Sequence, residues 1–246
     1  MNSWTMRLIA ANVVMYFLTS ASPGLTNALM LVPALIDTAP WTVVTYMFLH
    51  ANLWHLLFNM LGLLFFGPRL EAELGGRDFL LLYCISGVAG ALLSFVTPHV
   101  AIVGASGAVF GVLLGFARYW PREQIMIWGI IPVEARWLVI IMAVLSLIGG
   151  FGGGGDVAHF AHLGGFAGGL LFLVWRDRNT RAARFKAYMA APAIRPADLQ
   201  RWSSIDRTRM HEVNRSELDR IMAKLQTGGT ATLTPDERAF LDRFSS

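Results

Sequence analysis

The chain has 246 residues, is 55% hydrophobic and only 15% charged, and carries a net charge of +4. Soluble domains are usually about 45–50% apolar and about 25% charged, so this composition indicates a membrane protein and excludes a disordered chain, a disulfide scaffold and an ordinary nucleic-acid-binding domain. The charge is unevenly placed: residues 1–175 hold six Lys/Arg and seven Asp/Glu, and residues 176–246 hold fourteen and nine, so an apolar body precedes a basic tail.

Six apolar segments follow one another at about 5–20, 42–66, 79–96, 105–119, 133–150 and 157–175. A span needs ~20 mostly apolar residues to cross a ~30 Å hydrocarbon core. The first segment, with Arg7 near its start and Ser20-Ala21-Ser22 at its end, shares features with a signal peptide, but the next segments continue the same membrane pattern. Cys84, the single cysteine, falls in an apolar run and can form no internal disulfide. Arg69 and Arg77 follow segment 2, Arg118 and Arg122 follow segment 4, and a run of basic residues from Arg176 follows segment 6. The loops around 21–41, 97–104 and 150–156 contain no Lys or Arg. By the positive-inside rule both termini are cytoplasmic, and segments 2, 4 and 6 run from outside to inside.

The tail reads as a basic linker over 181–210 and a cytosolic helical hairpin over 211–246. Leu218, Ile221, Met222 and Leu225 repeat at helical spacing. Thr234-Pro235-Asp236-Glu237 combines an N-cap, a first-turn proline and a capping-box acid ahead of Phe240, Leu241 and Phe244. Such a hairpin is either a solubilising tail or dimer contact, or a module for a cytosolic partner.

Polar side chains inside a bilayer are costly and point to function. At 1.5 Å per helical residue, Ser106 lies roughly 18 Å from Arg118, His162 roughly 21 Å from Arg176, His55 roughly 21 Å from Arg69 and Asn59 roughly 15 Å from Arg69. Three co-oriented helices thus place a hydroxyl, two imidazoles and an amide in one layer, with His55 and Asn59 on one helix face at i, i+4. Gly107, Gly111 and Gly115 in segment 4, and the pairs Gly164-Gly165 and Gly168-Gly169 in segment 6, form small-residue stripes that let helices approach closely. If the stripes face each other, Ser106 meets His162.

With these residues in view, the sequence resembles the rhomboid family of intramembrane serine proteases. Gly104-Ala105-Ser106-Gly107 matches its GxSG motif, Ala161-His162-Leu163-Gly164-Gly165 its AHxxG motif, and His50, His55 and Asn59 its HxxxxHxxxN motif. Pro40-Trp41, Phe48-Leu49-His50 and Gly67 through Glu71 also resemble the surroundings of its first loop and second helix. The resemblance covers roughly residues 5–176. It implies an all-α membrane protein, a six-transmembrane-helix bundle over 1–180, in a bacterial inner membrane, that cleaves single-span membrane-anchored substrates near the outer face of the bilayer without a cofactor.

The resemblance also assigns roles. Ser106 is the nucleophile and His162 the base, a dyad with no carboxylate in the membrane to orient the imidazole. The Ser106 N–H, His55 and Asn59 stabilise the oxyanion, with His50 supporting them; for His55 and Asn59 a purely interhelical hydrogen bond is the bland alternative. Where some members have a tyrosine one turn after the serine, this chain has Phe110, which keeps the stacking on His162 and loses the hydroxyl. The glycines 149, 150 and 152–155 become a lid and the fifth helix a lateral gate. Asp156 in that loop is a solvated acid or, less in keeping with the pattern, a third catalytic member. His159 reads as a hydrogen-bonding residue in the mouth of the site. Three other classes compete: a non-proteolytic rhomboid-like binding or quality-control protein, whose kind lack the serine or histidine kept here; a transporter with a polar midplane; and a metalloenzyme, which lacks an HExxH pair.

Overall fold

The computed structural model describes residues 3–127, 129–152, 158–190 and 194–245; of residues 181–190, 209 and 231 it describes the backbone only. Its helices, in chain order, begin with α1 (Trp4–Ala21), α2 (Pro23–Leu29) and α3 (Thr42–Thr45), then α4 (Leu53–Leu74), α5 (Gly76–Leu93) and α6 (Ser106–Tyr119). A two-stranded hairpin, β1 (Gln124–Ile127) and β2 (Ile131–Glu134), precedes α7 (Ala135–Phe151) and α8 (His159–Ala190). The expected all-α class holds, with this short hairpin as an addition that the sequence did not announce. Its strands are rich in isoleucine and valine, and Gly129 at φ +70° turns the chain between them. Because β2 takes residues 131–134, the fifth apolar segment becomes helical at Ala135 rather than 133.

The second segment is displaced as well. Residues 42–52 do not start its helix: Thr42–Thr45 and a 3-10 turn at Tyr46–Phe48 break off at extended Leu49. The long helix begins after Asn52, whose side chain accepts the His55 N–H at 2.9 Å and so satisfies one donor of the exposed first turn. It runs past the expected end at 66 to Gly75, where φ +81° suits glycine and stops it. The sixth segment continues to Ala190, since no glycine or proline follows Gly169 until Pro192. By length and apolarity Leu53–Leu74 and Gly76–Val96 can each cross a membrane, and Ser106–Tyr119 and Ala135–Phe151 are shorter apolar helices.

Helix α6 is the central element. It buries Gly107, Ala108, Val109, Gly111, Val112, Leu113, Gly115, Phe116 and Ala117, and packs against α4, α5 and α7. The small residues matter where backbones touch: a Cβ on Gly165 of α8 would sit 2.0 Å from the Gly107 carbonyl oxygen of α6. One residue earlier, a Cβ on Gly164 would meet the Ala89 carbonyl of α5 at 2.4 Å. The paired glycines of α8 therefore serve two neighbours, one stripe for α6 and one for α5.

Two polar clusters pin the helix ends remote from Ser106. Ser3, before α1, makes no cap of its own. Instead the Glu71 carboxylate of α4 accepts the Trp4 N–H at 2.7 Å and the Thr5 N–H at 3.0 Å, and the Ser3 and Thr5 hydroxyls at 2.6 and 2.8 Å. A helix N-terminus has unpaired N–H donors and a positive dipole end, so one carboxylate answers both. Arg176 of α8 pairs with Asp78 of α5 at 2.6 Å and donates to the Leu74 carbonyl and the Tyr119 hydroxyl, tying four helices together.

Residues 177–246 form a second compact unit. Besides α10 (Glu212–Gly228) and α11 (Pro235–Phe244), it contains α9 (Pro196–Ser203), inside the stretch read as a linker. Trp202 of α9 packs with Met210, Leu218, Ile221, Leu233 and Leu241, and its indole N–H donates to Asp242 at 2.9 Å. The isolated tryptophan carried no periodic signal, so the linker expectation missed it. The capping box forms: Thr234 and Glu237 exchange hydrogen bonds of 2.8 and 3.2 Å. Burial alone would raise the Glu237 carboxyl, but hydrogen bonds from Lys224, the Thr234 N–H and Arg220 bring it down to about 2.

Candidate active site

Ser106 is the first residue of α6, so its backbone N–H is among the four that a helix start leaves without an intrahelical partner. The segment leading to it is irregular, which a membrane tolerates only where protein satisfies the backbone. Ile102 exchanges two backbone hydrogen bonds with Leu31, at 2.8 and 3.1 Å, and the Gly104 N–H donates to the Tyr46 carbonyl at 3.0 Å. Gly104 has φ +131°, a conformation that favours glycine, and a Cβ there would lie 2.6 Å from the His55 ring. Glycine therefore both turns the chain into Ser106 and lets the His55 imidazole lie close beside it.

His162 sits one turn into α8, and its Nε2 is 2.8 Å from the Ser106 Oγ. With Nε2 unprotonated, the serine hydroxyl donates to it. The Phe110 ring lies against the imidazole, with centroids 4.3 Å apart and planes at 41°, a tilted contact rather than a parallel stack. Phe166 backs Phe110 at 5.0 Å. The ring is thus held by aromatic packing, and among the described residues Ser106 is the hydrogen-bond partner found for it.

The other residues singled out from the sequence fall at different distances from this pair. His55 and Asn59 line the same cavity as Ser106 and His162. Asn59 is buried and one of its two amide hydrogens goes to the His55 carbonyl at 2.8 Å, within its own helix. His50 is buried edge-on against His55, centroids 5.0 Å apart, so it can act on the site only through that ring. His159 turns away: a Cβ on Gly149 of α7 would be 2.3 Å from its Nε2, and its ring centroid is 6.3 Å from that of His162. Asp156 and the lid glycines 153–155 lie outside the described residues.

Two residues with structural roles had not been singled out, and the first of them supports the site. Tyr46 is 1% exposed; its carbonyl holds the Gly104 N–H and its hydroxyl donates to the Gly87 carbonyl at 2.8 Å. It braces the serine loop from behind, and the only signal was a tyrosine within the apolar run 43–49. Glu71 appeared only within a family-like stretch, and its capping of α1 depends on a contact 66–68 residues away in sequence. The cavity beside the pair has a volume of about 990 Å³ and continues from the serine and histidine along α4 and α6 between apolar walls. A nucleophile, a base in contact with it and amide or imidazole donors at the edge of one cavity are the parts that acyl transfer requires.

Comparison with known proteins shows the family of the chain. The rhomboid domain model matches residues 37–177. The chain is 32% identical over 194 residues to Rhomboid-like protease 3 of Toxoplasma gondii, covering 72% of each protein. It is 31% identical over 174 residues to Rhomboid protease GluP of Bacillus subtilis, over 68% of this chain and 33% of the relative. It is 41% identical over 133 residues to RHOMBOID-like protein 4 of Arabidopsis thaliana, over 53% of this chain. The chain spans about a third of the length of that plant relative and of RHOMBOID-like protein 1, at 32% and 33%. With more than half of its residues matching the family model, the chain belongs to the rhomboid family and is an integral membrane protein.

Proposed function

We propose that this protein is a serine endopeptidase that cuts membrane-anchored proteins within the bilayer, near its outer face. The observation that carries this reading is the 2.8 Å approach of the His162 Nε2 to the Ser106 Oγ at the mouth of an apolar cavity. A serine hydroxyl is a weak nucleophile and needs an adjacent base. His162 Nε2 takes the hydroxyl proton as Ser106 Oγ attacks the scissile carbonyl, then passes it to the departing amine. Water repeats the sequence on the acyl-enzyme. The oxyanion is held by the Ser106 N–H and the side chains of His55 and Asn59. Phe110 keeps the imidazole in place where a hydrolase of the triad type would use a carboxylate.

In this reading α1, α4, α5, α6, α7 and α8 are the six spans, both termini are cytoplasmic, and the tail unit is cytosolic, where it can meet a partner. The membrane is a bacterial inner membrane. The substrates are single-span proteins whose helices enter sideways past α7. Reporter fusions after residues 96 and 152 are expected to read outside, and fusions after residues 75 and 180 inside. A cytoplasmic signal after residue 152 would invert the orientation and the level of the polar layer with it.

Cleavage of a single-span test substrate by the purified protein in liposomes tests the activity. Within that assay, losing one oxyanion donor typically costs about 10²–10³ in turnover. Asn59→Ala is expected to lose less than this, because His55 and the backbone N–H remain. The melting temperature is followed in parallel. Activity that falls only with the folded fraction would make Asn59 a structural residue.

A further inference from the structure

Helices α6 and α8 are joined at both ends. At the head of α6, Ser106 meets His162 at 2.8 Å, and at its last residue the Tyr119 hydroxyl accepts from the Arg176 guanidinium at 3.3 Å. The two contacts are thirteen residues apart on α6 and fourteen on α8, roughly 20 and 21 Å at 1.5 Å per residue. Between them Gly107 faces Gly165, Gly111 faces Gly169 and Gly115 faces Leu173, so the partner on α8 is always 56–58 residues further along the chain. The helices therefore run parallel in one register. Interlocking ridges of side chains normally fix one packed helix against another, and a glycine face has none to offer. It lets the backbones approach but does little to stop a slide along the axis.

Arg176 is equipped to supply that stop. Its guanidinium is a planar fork of donors. The Nε pairs with Asp78 in the first turn of α5 at 2.6 Å, and Nη2 donates at 3.2 Å to the carbonyl of Leu74, the last residue of α4. That carbonyl is among the four that a helix end leaves without an intrahelical partner. The Tyr119 hydroxyl of α6 takes a third direction of the fork, through Nη1. The Arg176 side chain is 19% exposed, so these bonds are largely shielded from water. Three helix ends thus form a seat, and Arg176 sets α8 into it.

Resting on the protease reading above, we infer that Arg176 is a positioning residue for Ser106 and His162: it sets the axial register of α8 against α6, and through that register the hydrogen bond at the far end. A slip of α8 by one residue would carry His162 about 1.5 Å along the axis. A misplacement of about 1 Å at reacting groups can cost about 10²-fold in rate. Arg176 lies roughly 21 Å along α8 from His162 and touches no substrate, so its loss acts on the chemical step and not on substrate binding.

The test compares Arg176→Gln, Arg176→Lys and Tyr119→Phe with wild type, each as the full-length protein in liposomes. Cleavage of a single-span substrate gives kcat and KM, a fluorophosphonate gives the labelling rate of Ser106, and the melting temperature gives the folded fraction to which both rates are normalised. Arg176→Gln is expected to lower kcat and the labelling rate about tenfold or more per folded molecule and to change KM less than about twofold. Arg176→Lys keeps a cation beside Asp78 but lacks the fork for all three partners. It is expected to recover most of the melting temperature and little of the rate. Tyr119→Phe deletes the hydroxyl alone and is expected to lower the rate about threefold at an unchanged melting temperature. If Arg176→Gln does not fold, the other two variants decide by the same ratios. Wild-type rates per folded molecule in the variants would make the cluster purely structural and overturn the inference, as would a rise in KM at constant kcat. Wild type labelled on Ser106, with the variants labelled equally fast, removes this inference alone, whereas wild type that is not labelled removes the protease reading.

Discussion

Ser106→Ala is expected to lower cleavage of a single-span substrate by more than about 10³-fold while the protein still inserts and folds, because the bond-forming atom is gone and nothing replaces it. The side chain is small and sits at the head of α6, where its hydroxyl reaches His162 rather than holding the fold. Circular dichroism and melting temperature should therefore match wild type. Cleavage near the wild-type rate in a purified sample would end the serine mechanism for this protein.

Gly165→Ala is expected to be nearly as damaging, although the residue touches no substrate. The added methyl would sit 2.0 Å from the Gly107 carbonyl oxygen and 2.6 Å from its carbon. Both neighbours are helix backbone, so α8 and α6 must separate. A displacement of about 1 Å at a reacting pair can cost about 10²-fold in rate. The loss is expected to be at least that large, with Ser106 and His162 both still present. Gly150→Ala is the comparison: its nearest neighbour would be the end of the Phe160 ring at 3.3 Å, and side chains can give way. Equal activity of Gly165→Ala and wild type would mean that the glycine stripes do not set the distance between serine and histidine.

Much of the polar layer around Ser106 was legible before any coordinates, for reasons specific to its residues. Ser106 and His162 lie on helices whose rise per residue is fixed, so counting from Arg118 and Arg176 placed them at one level, and the glycine stripes indicated which faces meet. His55 was placed from Arg69, which turned out to lie within α4 rather than at its end; there it stacks 4.2 Å above the Trp120 ring. The estimate still worked because His55, Asn59 and Arg69 share that one helix.

What escaped sequence reasoning depended on contacts distant along the chain or on short elements. Hydropathy runs unbroken from 42 to 66 and does not register that Asn52 caps a helix starting at Leu53. The run Gln124–Ile127 is only four residues long, and Ile131–Glu134 merges with the apolar segment after it, so neither announced a strand. The charges after Trp175 marked the end of apolarity correctly, but helical structure does not end where apolarity does. Tyr46 and Trp202 earn their places through single hydrogen bonds to Gly87 and Asp242, which no periodicity foretells.

Labelling with a fluorophosphonate tests the central claim most directly, because the probe needs an activated hydroxyl and not merely an exposed one. Wild type is expected to be labelled on Ser106. Labelling should nearly vanish in His162→Ala, whose imidazole is the group at 2.8 Å, and a substantial part should survive in His159→Ala, whose ring packs on Gly149 instead. Labelling that survives loss of His162 and disappears with His159 would contradict the account and move the base to the other histidine of α8.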